Sequence, residues 1–391
     1  MARPTCGKGI CDDRDCNMNI EPFVVDGLPP SAATPIARSP RWPGVLATFA
    51  ALVLGGFVFW GFRYHPGYRE VIPGDAQPIA ARVTVKGVKQ FAPRHSLYLV
   101  FVRERDNVNY WEYLKAKWID DDSQLEKIPK GQPAPPAQEG ICDMGDSQAT
   151  AKLVALTRLG YKAAIQPGIV VHSFLLGNAP VSSALKCGDT IRSIDNVATD
   201  TRERLQTQIR RHKGGDTVQV AFDHEGKRLT RAVKLISHDG VALLGISAEQ
   251  VRKFPVELSI DTGEIGGPSA GLAMTLTLLD ELTPGELTGG RRVVATGTIS
   301  PDGTVGEIGS VDLKAIAARQ RKADVFLIPA CQADPVKDPI DLKACQRSNA
   351  QAKINAKGVE VVEVRTLDDA LAVLARHGGV PLPAGTSPSR A

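Results

Sequence analysis

The chain lacks three features, each of which would mark a class of function. Its net charge is only +4, from 47 Lys and Arg against 43 Asp and Glu. That is too little to build a phosphate-binding surface, so no nucleic-acid role is expected. The basic residues Arg202, Arg204, Arg210, Arg211 and Lys213 read as a solvated helix face. No G-x-x-x-x-G-K-[ST] loop occurs, and nucleotide-driven work is not expected without one. No C-x-x-C pair occurs either. Cys6, Cys11 and Cys16 recur at five-residue steps with no histidine beside them, a poor ligand set for zinc, so neither metal nor cofactor is expected.

The 391 residues suffice for two or three domains. Residues 42–62 are an uncharged run of 21, bounded by Arg41 and Arg63, with Trp42 and Trp60 near its ends where indoles favour the membrane interface. This predicts a single-pass transmembrane helix. It starts far into the chain and has no small-residue cleavage site, so it reads as an uncleaved anchor. Arg38 and Arg41 on one side balance Arg63 and Arg69 on the other, and the positive-inside rule does not choose an orientation. Residues 1–41, rich in Pro, Asp and Arg, are expected to be a disordered tail, as is the Gly/Pro/Ser-rich end, residues 378–391. Beyond the apolar run lie Cys142, Cys187, Cys331 and Cys345, an even number suited to an oxidising compartment, with Cys331–Cys345 the expected bridge.

The run Gly266, Gly267, Pro268, Ser269, Ala270, Gly271 precedes an apolar helical stretch through Leu272, Leu276 and Leu279. Ser269 therefore stands at or near a helix N-terminus, where glycines admit a substrate backbone and unpaired amides can hold an oxyanion. Serine needs a neighbouring base, and a desolvated lysine supplies one. Lys314 lies 45 residues on, in a helix with Val311, Ile316, Ala317 and Ala318 for neighbours. The backbone N–H groups of Ser269 and Ala270 are the expected oxyanion donors. A second reading starts from the G-x-S-x-G pattern of α/β-hydrolases, with Asp368, Asp369 and His377 following in the order of an esterase triad. Against it, the polar residues Asp261, Thr262, Gly263 and Glu264 separate the serine from the preceding strand.

The wider pattern joins Gly266 to Gly271 with Leu282-Thr283-Pro284-Gly285, Ala295-Thr296-Gly297-Thr298-Ile299, Asp302-Gly303, Val305-Gly306, Ile308-Gly309 and Lys314. It resembles the Lon family of serine proteases over roughly residues 255–375, within a protease domain expected at residues 255–376. The resemblance implies Ser269 as nucleophile, Lys314 as general base and Thr296 as the threonine that orients the lysine. One departure is Gly266, where many Lon proteases carry an acid three positions before the serine; Glu264 is the nearest substitute. Residues 164–250 carry short strands, a helix over residues 202–211 and the turn Cys187-Gly188-Asp189-Thr190-Ile191, which resembles a PDZ domain, whose sheet edge binds extended peptides.

The order of anchor, PDZ and protease, with Asp143-Met144-Gly145-Asp146-Ser147-Gln148 and Phe254-Pro255, resembles the YlbL-like membrane-anchored Lon-like proteases of Gram-positive bacteria. This implies an α+β chain whose protease domain has the ribosomal protein S5 domain 2-like fold. It also implies an ATP-independent endopeptidase on polypeptide substrates, with its N-terminus inside, its domains outside the cytoplasm and homo-oligomers possible. A membrane-tethered PDZ adaptor with an inactive protease fold is the alternative from another class. Residues 64–160 read as a separate N-terminal part of the extracytoplasmic region, with a strand at residues 96–102, a proline-rich loop at 130–136 and a helix at 147–159. In the protease region the pattern predicts strands at 256–260, 292–300, 303–308, 325–329 and 359–364. Helices are predicted at 268–282, 311–322, 338–352 and 366–376.

Overall fold

The computed structural model describes residues 42–91, 97–128, 137–175, 180–332 and 339–383. Cys6, Cys11, Cys16 and the proline-rich loop fall outside them. The chain divides into two compact units, residues 1–56 and 57–391. Helix α1 (Trp42–Arg63) is long and apolar enough to cross a membrane, and Phe49, Leu52, Phe59 and Phe62 on it are exposed.

The second unit continues with β1 (Tyr68–Pro78), β2 (Val83–Lys86), β3 (Leu97–Arg105), α2 (Tyr110–Trp118), β4 (Gln124–Lys127) and α3 (Ala137–Arg158). Asn109 and Glu112 close a capping box that starts α2. Next come β5 (Ala164–Phe174), α4 (Pro180–Ala184), β6 (Thr190–Ile194), β7 (Val197–Ala198), α5 (Arg202–Ile209), β8 (Thr217–His224), β9 (Lys227–Lys234), β10 (Ile236–His238), β11 (Val241–Leu243) and β12 (Ile246–Lys253). The chain then forms β13 (Glu257–Ile260), α6 (Gly271–Leu282), β14 (Val293–Ala295), β15 (Thr298–Ile299), β16 (Val305–Gly306), α7 (Val311–Gln320), β17 (Val325–Pro329), α8 (Pro339–Asn355), β18 (Glu360–Val364) and α9 (Leu367–Arg376).

One sheet runs in the order β18-β17-β14-β3-β1-β4. Residues 64–160, expected to be a separate part, thus supply β3, β1 and β4 to the sheet that carries β14 and β17. The join is a parallel ladder, Val293 opposite Leu97 and Ala295 opposite Leu99. Alternate residues face opposite sides of a strand. Leu97, Leu99, Val293, Ala295, Val325 and Leu327 accordingly pack with α3, α6 and α9. Val100, Val294, Phe326 and Ile328 pack with α7 and α8 on the other face.

A second sheet, β12-β5-β6-β8-β9 with β7 beside β6, has its own core of Ile169, Ile191, Val220 and Phe222. Its first and last strands pair with each other, Val171 opposite Ala248. The module therefore leaves the chain next to where it enters, as an inserted domain does. A disulfide joins Cys142 on α3 to Cys187 in the module, and the expected bridge Cys331–Cys345 is present.

The single strand expected at 292–300 is split. Thr296 and Gly297 turn out of β14, and Gly297 adopts φ +136°, where an added Cβ would meet Val305 Cγ1 at 2.7 Å. Only glycine fits that turn. The strand expected at 303–308 is shortened to β16, and the helix expected from 147 begins at Ala137.

Candidate active site

Two helices on opposite faces of the sheet reach one edge of it. α6 precedes β14 and runs back along the α3/α9 face, so its first turn stands at the end of β14. α7 precedes β17 and runs back along the other face, so its first turn stands at the end of β17, which pairs in parallel with β14. The turn at Thr296 and Gly297 leaves β14 at that edge. Its two sides are tied to α6: Gly297 N–H donates to Ser269 O at 2.9 Å and Leu272 N–H donates to Gly297 O at 3.1 Å.

Ser269 precedes the first helical residue by two and is half-buried. Its backbone is held from several directions. Thr296 Oγ1 donates to Ser269 O at 3.1 Å, and Ser147 Oγ donates to Pro268 O at 3.0 Å. Gly267 N–H donates to Gly140 O at 2.7 Å. The N–H groups of Ser269 and Ala270 make no hydrogen bond among the described residues, as oxyanion donors require.

Lys314 sits in the first turn of α7 on the sheet-facing side with Val311, Ala315 and Ala318, and is 4% exposed. Burial pushes its pKa from 10.5 down to about 8, with the charge of Glu104 acting weakly the other way. At pH 7 about a tenth of such a lysine is neutral. Ser269 Oγ and Lys314 Nζ share no hydrogen bond in this structure. The hydroxyl hydrogen of Thr296 goes to the serine carbonyl, which leaves the oxygen lone pairs as the part of this side chain that could meet the lysine.

Gly266, the departure from the family pattern, is exposed and runs close to α3: a Cβ there would lie 3.0 Å from the carbonyl carbon of Gly140 and 3.1 Å from its oxygen, so any side chain at this position would press on α3. Glu264 is solvent-exposed. The esterase triad is not assembled. Asp368 pairs with Arg158 at 2.6 Å and His377 Nε2 with Glu360 at 3.3 Å, while Asp369 caps α9. The strand before the serine, β13, pairs with β2 in a separate two-stranded ladder and not within the main sheet, whereas a nucleophile elbow needs a central strand.

Ser147 and Gly140 were not singled out by residue-type reasoning. Ser147 falls in the run Asp143 to Gln148, whose residues carried a family resemblance but suggested no chemistry, and Gly140 lies outside that run. Asp280 and Glu281 were also missed. They lie at the far end of α6, each 1% exposed, and burial raises their pKa values to about 6 and about 7. Glu307, Cys331 and Cys345 form a compact group, but the bridged cysteines have no thiolate to offer a metal.

In the module, a cavity of about 190 Å³ lies between α5 and the start of β12, lined by Leu205, Ile209, Leu243, Gly245 and Ile246. β12 is the sheet's edge strand, so its free backbone groups border that cavity.

Comparison with known proteins agrees with this division. Residues 151–235 match the PDZ domain, and residues 232–364 match the Lon protease (S16) C-terminal proteolytic domain. The chain carries a PDZ domain and a Lon-type proteolytic domain. Both resemblances read from the sequence are borne out, as is the α+β class. The serine protease Do-like HtrA of Lactococcus lactis subsp. cremoris (strain MG1363) is 32% identical over 79 residues, which cover 20% of this chain and 19% of that protein. Its counterpart from subsp. lactis (strain IL1403) is 33% identical over 79 residues, with the same coverage, 20% and 19%. The chain thus spans about a fifth of the length of these relatives. Among solved structures, the PDZ domain of an SdrC-like protein from Listeria monocytogenes is 26% identical, covering 22% of this chain and 92% of that one at a TM-score of 0.20. A Listeria innocua counterpart is 29% identical, covering 21% and 92% at a TM-score of 0.20.

Proposed function

We propose that the protein is an ATP-independent, membrane-anchored serine endopeptidase with a Ser269/Lys314 dyad. The observation that carries this reading is the buried Lys314, with its pKa lowered to about 8, on the helix that starts at the same sheet edge as the serine turn. Ser269 Oγ attacks the carbonyl carbon of a substrate peptide bond while neutral Lys314 Nζ takes the hydroxyl proton. The N–H groups of Ser269 and Ala270 hold the oxyanion. Collapse of the tetrahedral intermediate breaks the C–N bond, and Lys314 returns the proton to the leaving amine. Water then repeats the sequence on the acyl-enzyme. The Ser269–Lys314 hydrogen bond must form on the way, as catalytic bonds that are long in empty sites do when substrate binds.

The remaining features fit the same reading. α1 is the anchor, with the N-terminus inside and the domains outside, where Cys142–Cys187 and Cys331–Cys345 persist oxidised. The edge of β12 takes an extended segment of the substrate polypeptide as an added strand. Casein digestion by the purified full chain is the test. Wild type should cleave, and Ser269→Ala and Lys314→Arg should each lose at least about a thousandfold in rate, since arginine stays charged and cannot accept the proton. The absent Ser269–Lys314 bond favours a second reading, an inactive PDZ adaptor. Equal and undetectable cleavage by wild type and Ser269→Ala would select it.

A further inference from the structure

The run Asp143-Met144-Gly145-Asp146-Ser147-Gln148 has no part in the chemistry above, yet α3 lies between the serine turn and the PDZ domain. Its residues divide by helical periodicity. Gly140, Met144, Ser147 and Gln148 share one face, turned to the protease. Gly140 accepts from Gly267, Ser147 donates to Pro268, and Gln148 Nε2 donates to Thr262 Oγ1 at 2.9 Å. Met144 is buried in the core that α6 shares. Cys142 and Asp146 lie on the opposite face, turned to the PDZ domain. Cys142 is bridged to Cys187, and Asp146 is hydrogen-bonded to His172 on β5.

Ser147 is closely enclosed. It is 7% exposed, and a Cβ added to Gly271 would approach its Oγ to 3.2 Å. Its one hydroxyl hydrogen goes to the carbonyl immediately before the nucleophile. A helix moves as a rigid body, so whatever fixes the Cys142 face fixes the Ser147 face. His172 lies on β5 where Ser247 and Ala248 of β12 pair with the residues either side of it, Ser173 and Val171. Burial opposes protonation of His172, but the Asp146 hydrogen bond and charge outweigh it and raise its pKa, which strengthens the tie.

We propose that α3 is a relay in which Ser147 is a positioning residue for Ser269, with its place set by the Cys142–Cys187 tie to the PDZ domain. The inference rests on the reading of Ser269 as the nucleophile. The loss of one neutral hydrogen bond at this carbonyl should slow acylation roughly five- to tenfold. A structural role would instead lower the melting temperature and leave the rate per active site unchanged.

The test is the rate constant for fluorophosphonate acylation of the full chain, per titrated serine, with the modified residue mapped. Ser147→Ala should react about five- to tenfold more slowly at an unchanged KM for a peptide substrate, and Ser147→Thr should recover most of the rate. Cys142→Ala/Cys187→Ala should slow the reaction less. Because the bridge acts through Ser147, its loss should add nothing on the Ser147→Ala background. Labelling at Ser269 with a wild-type rate in Ser147→Ala overturns the relay, as does full additivity of the two changes. If Ser147→Ala does not fold, the bridge variant alone decides: a wild-type acylation rate overturns the relay. No labelling at Ser269 in the wild type removes the functional reading itself, a result that the variants cannot mimic.

Discussion

The two halves of the proposed dyad are held by different physics. The serine turn is half-exposed and fixed by hydrogen bonds to its backbone, from Thr296, Gly297 and Ser147 and to Gly140. The helical turn that carries the lysine is also hydrogen-bonded, through Asp312, to Gln124 and Asn355, but the lysine side chain itself is set by burial, which is what lowers its pKa and makes it a base. A nucleophile needs direction, which hydrogen bonds supply. A lysine base needs an unfavourable environment for its charge, which apolar packing supplies at a cost in stability.

The largest effect that separates the halves is on stability. Lys314→Met removes a buried charge and should kill activity while raising stability at pH 7 by on the order of 2–3 kcal/mol. Ser269→Ala should kill activity with stability unchanged within about 0.5 kcal/mol. Chemical denaturation of both variants reads this contrast, and a Lys314→Met protein no more stable than wild type would contradict the account of the lysine.

Next in size is Thr296→Val, which removes the hydroxyl from the serine carbonyl without touching the lysine. It should lower kcat about tenfold and leave the pH profile where it is. A displaced profile would mean that Thr296 acts on Lys314 instead.

The pH dependence sharpens the lysine side. kcat/KM should rise as pH passes through about 8, where Lys314 loses its proton. Its folded pKa lies below the unfolded value of 10.5, so between those two values the unfolded chain binds more protons and stability should increase with pH. The smallest effect belongs to Glu104→Gln. The charge of Glu104 raises the lysine pKa, so its removal should move the midpoint of kcat/KM slightly to lower pH.

Local signals explain what was legible in the sequence. β17, Val-Phe-Leu-Ile-Pro, is buried at every position and reads as a continuous apolar run. The start of α9 is marked by Thr366 and Asp369, which form a capping box. The serine turn was legible because glycine, proline and an apolar helix are all local. The pairing of β14 with β3 was not, because it joins residues almost two hundred positions apart and leaves no trace in either strand. The early start of α3 was hidden by Gly140 and Gly145, poor helix formers, of which Gly140 runs beside the backbone of Gly266 and Gly267. The direction of the Thr296 hydroxyl depends on a split strand, which a run of Val-Val-Ala-Thr-Gly-Thr-Ile does not announce. The Cys142–Cys187 bridge crosses between two domains and was invisible for the same reason as the β14 ladder.

The measurement that bears most directly on the dyad is the pH dependence of fluorophosphonate acylation in wild type and Lys314→Arg, with the labelled peptide sequenced. The account predicts modification of Ser269, a wild-type rate that climbs with a midpoint near pH 8, and a Lys314→Arg rate that is very low throughout that range. Modification of a different serine, or equal rates in the two proteins, would contradict it.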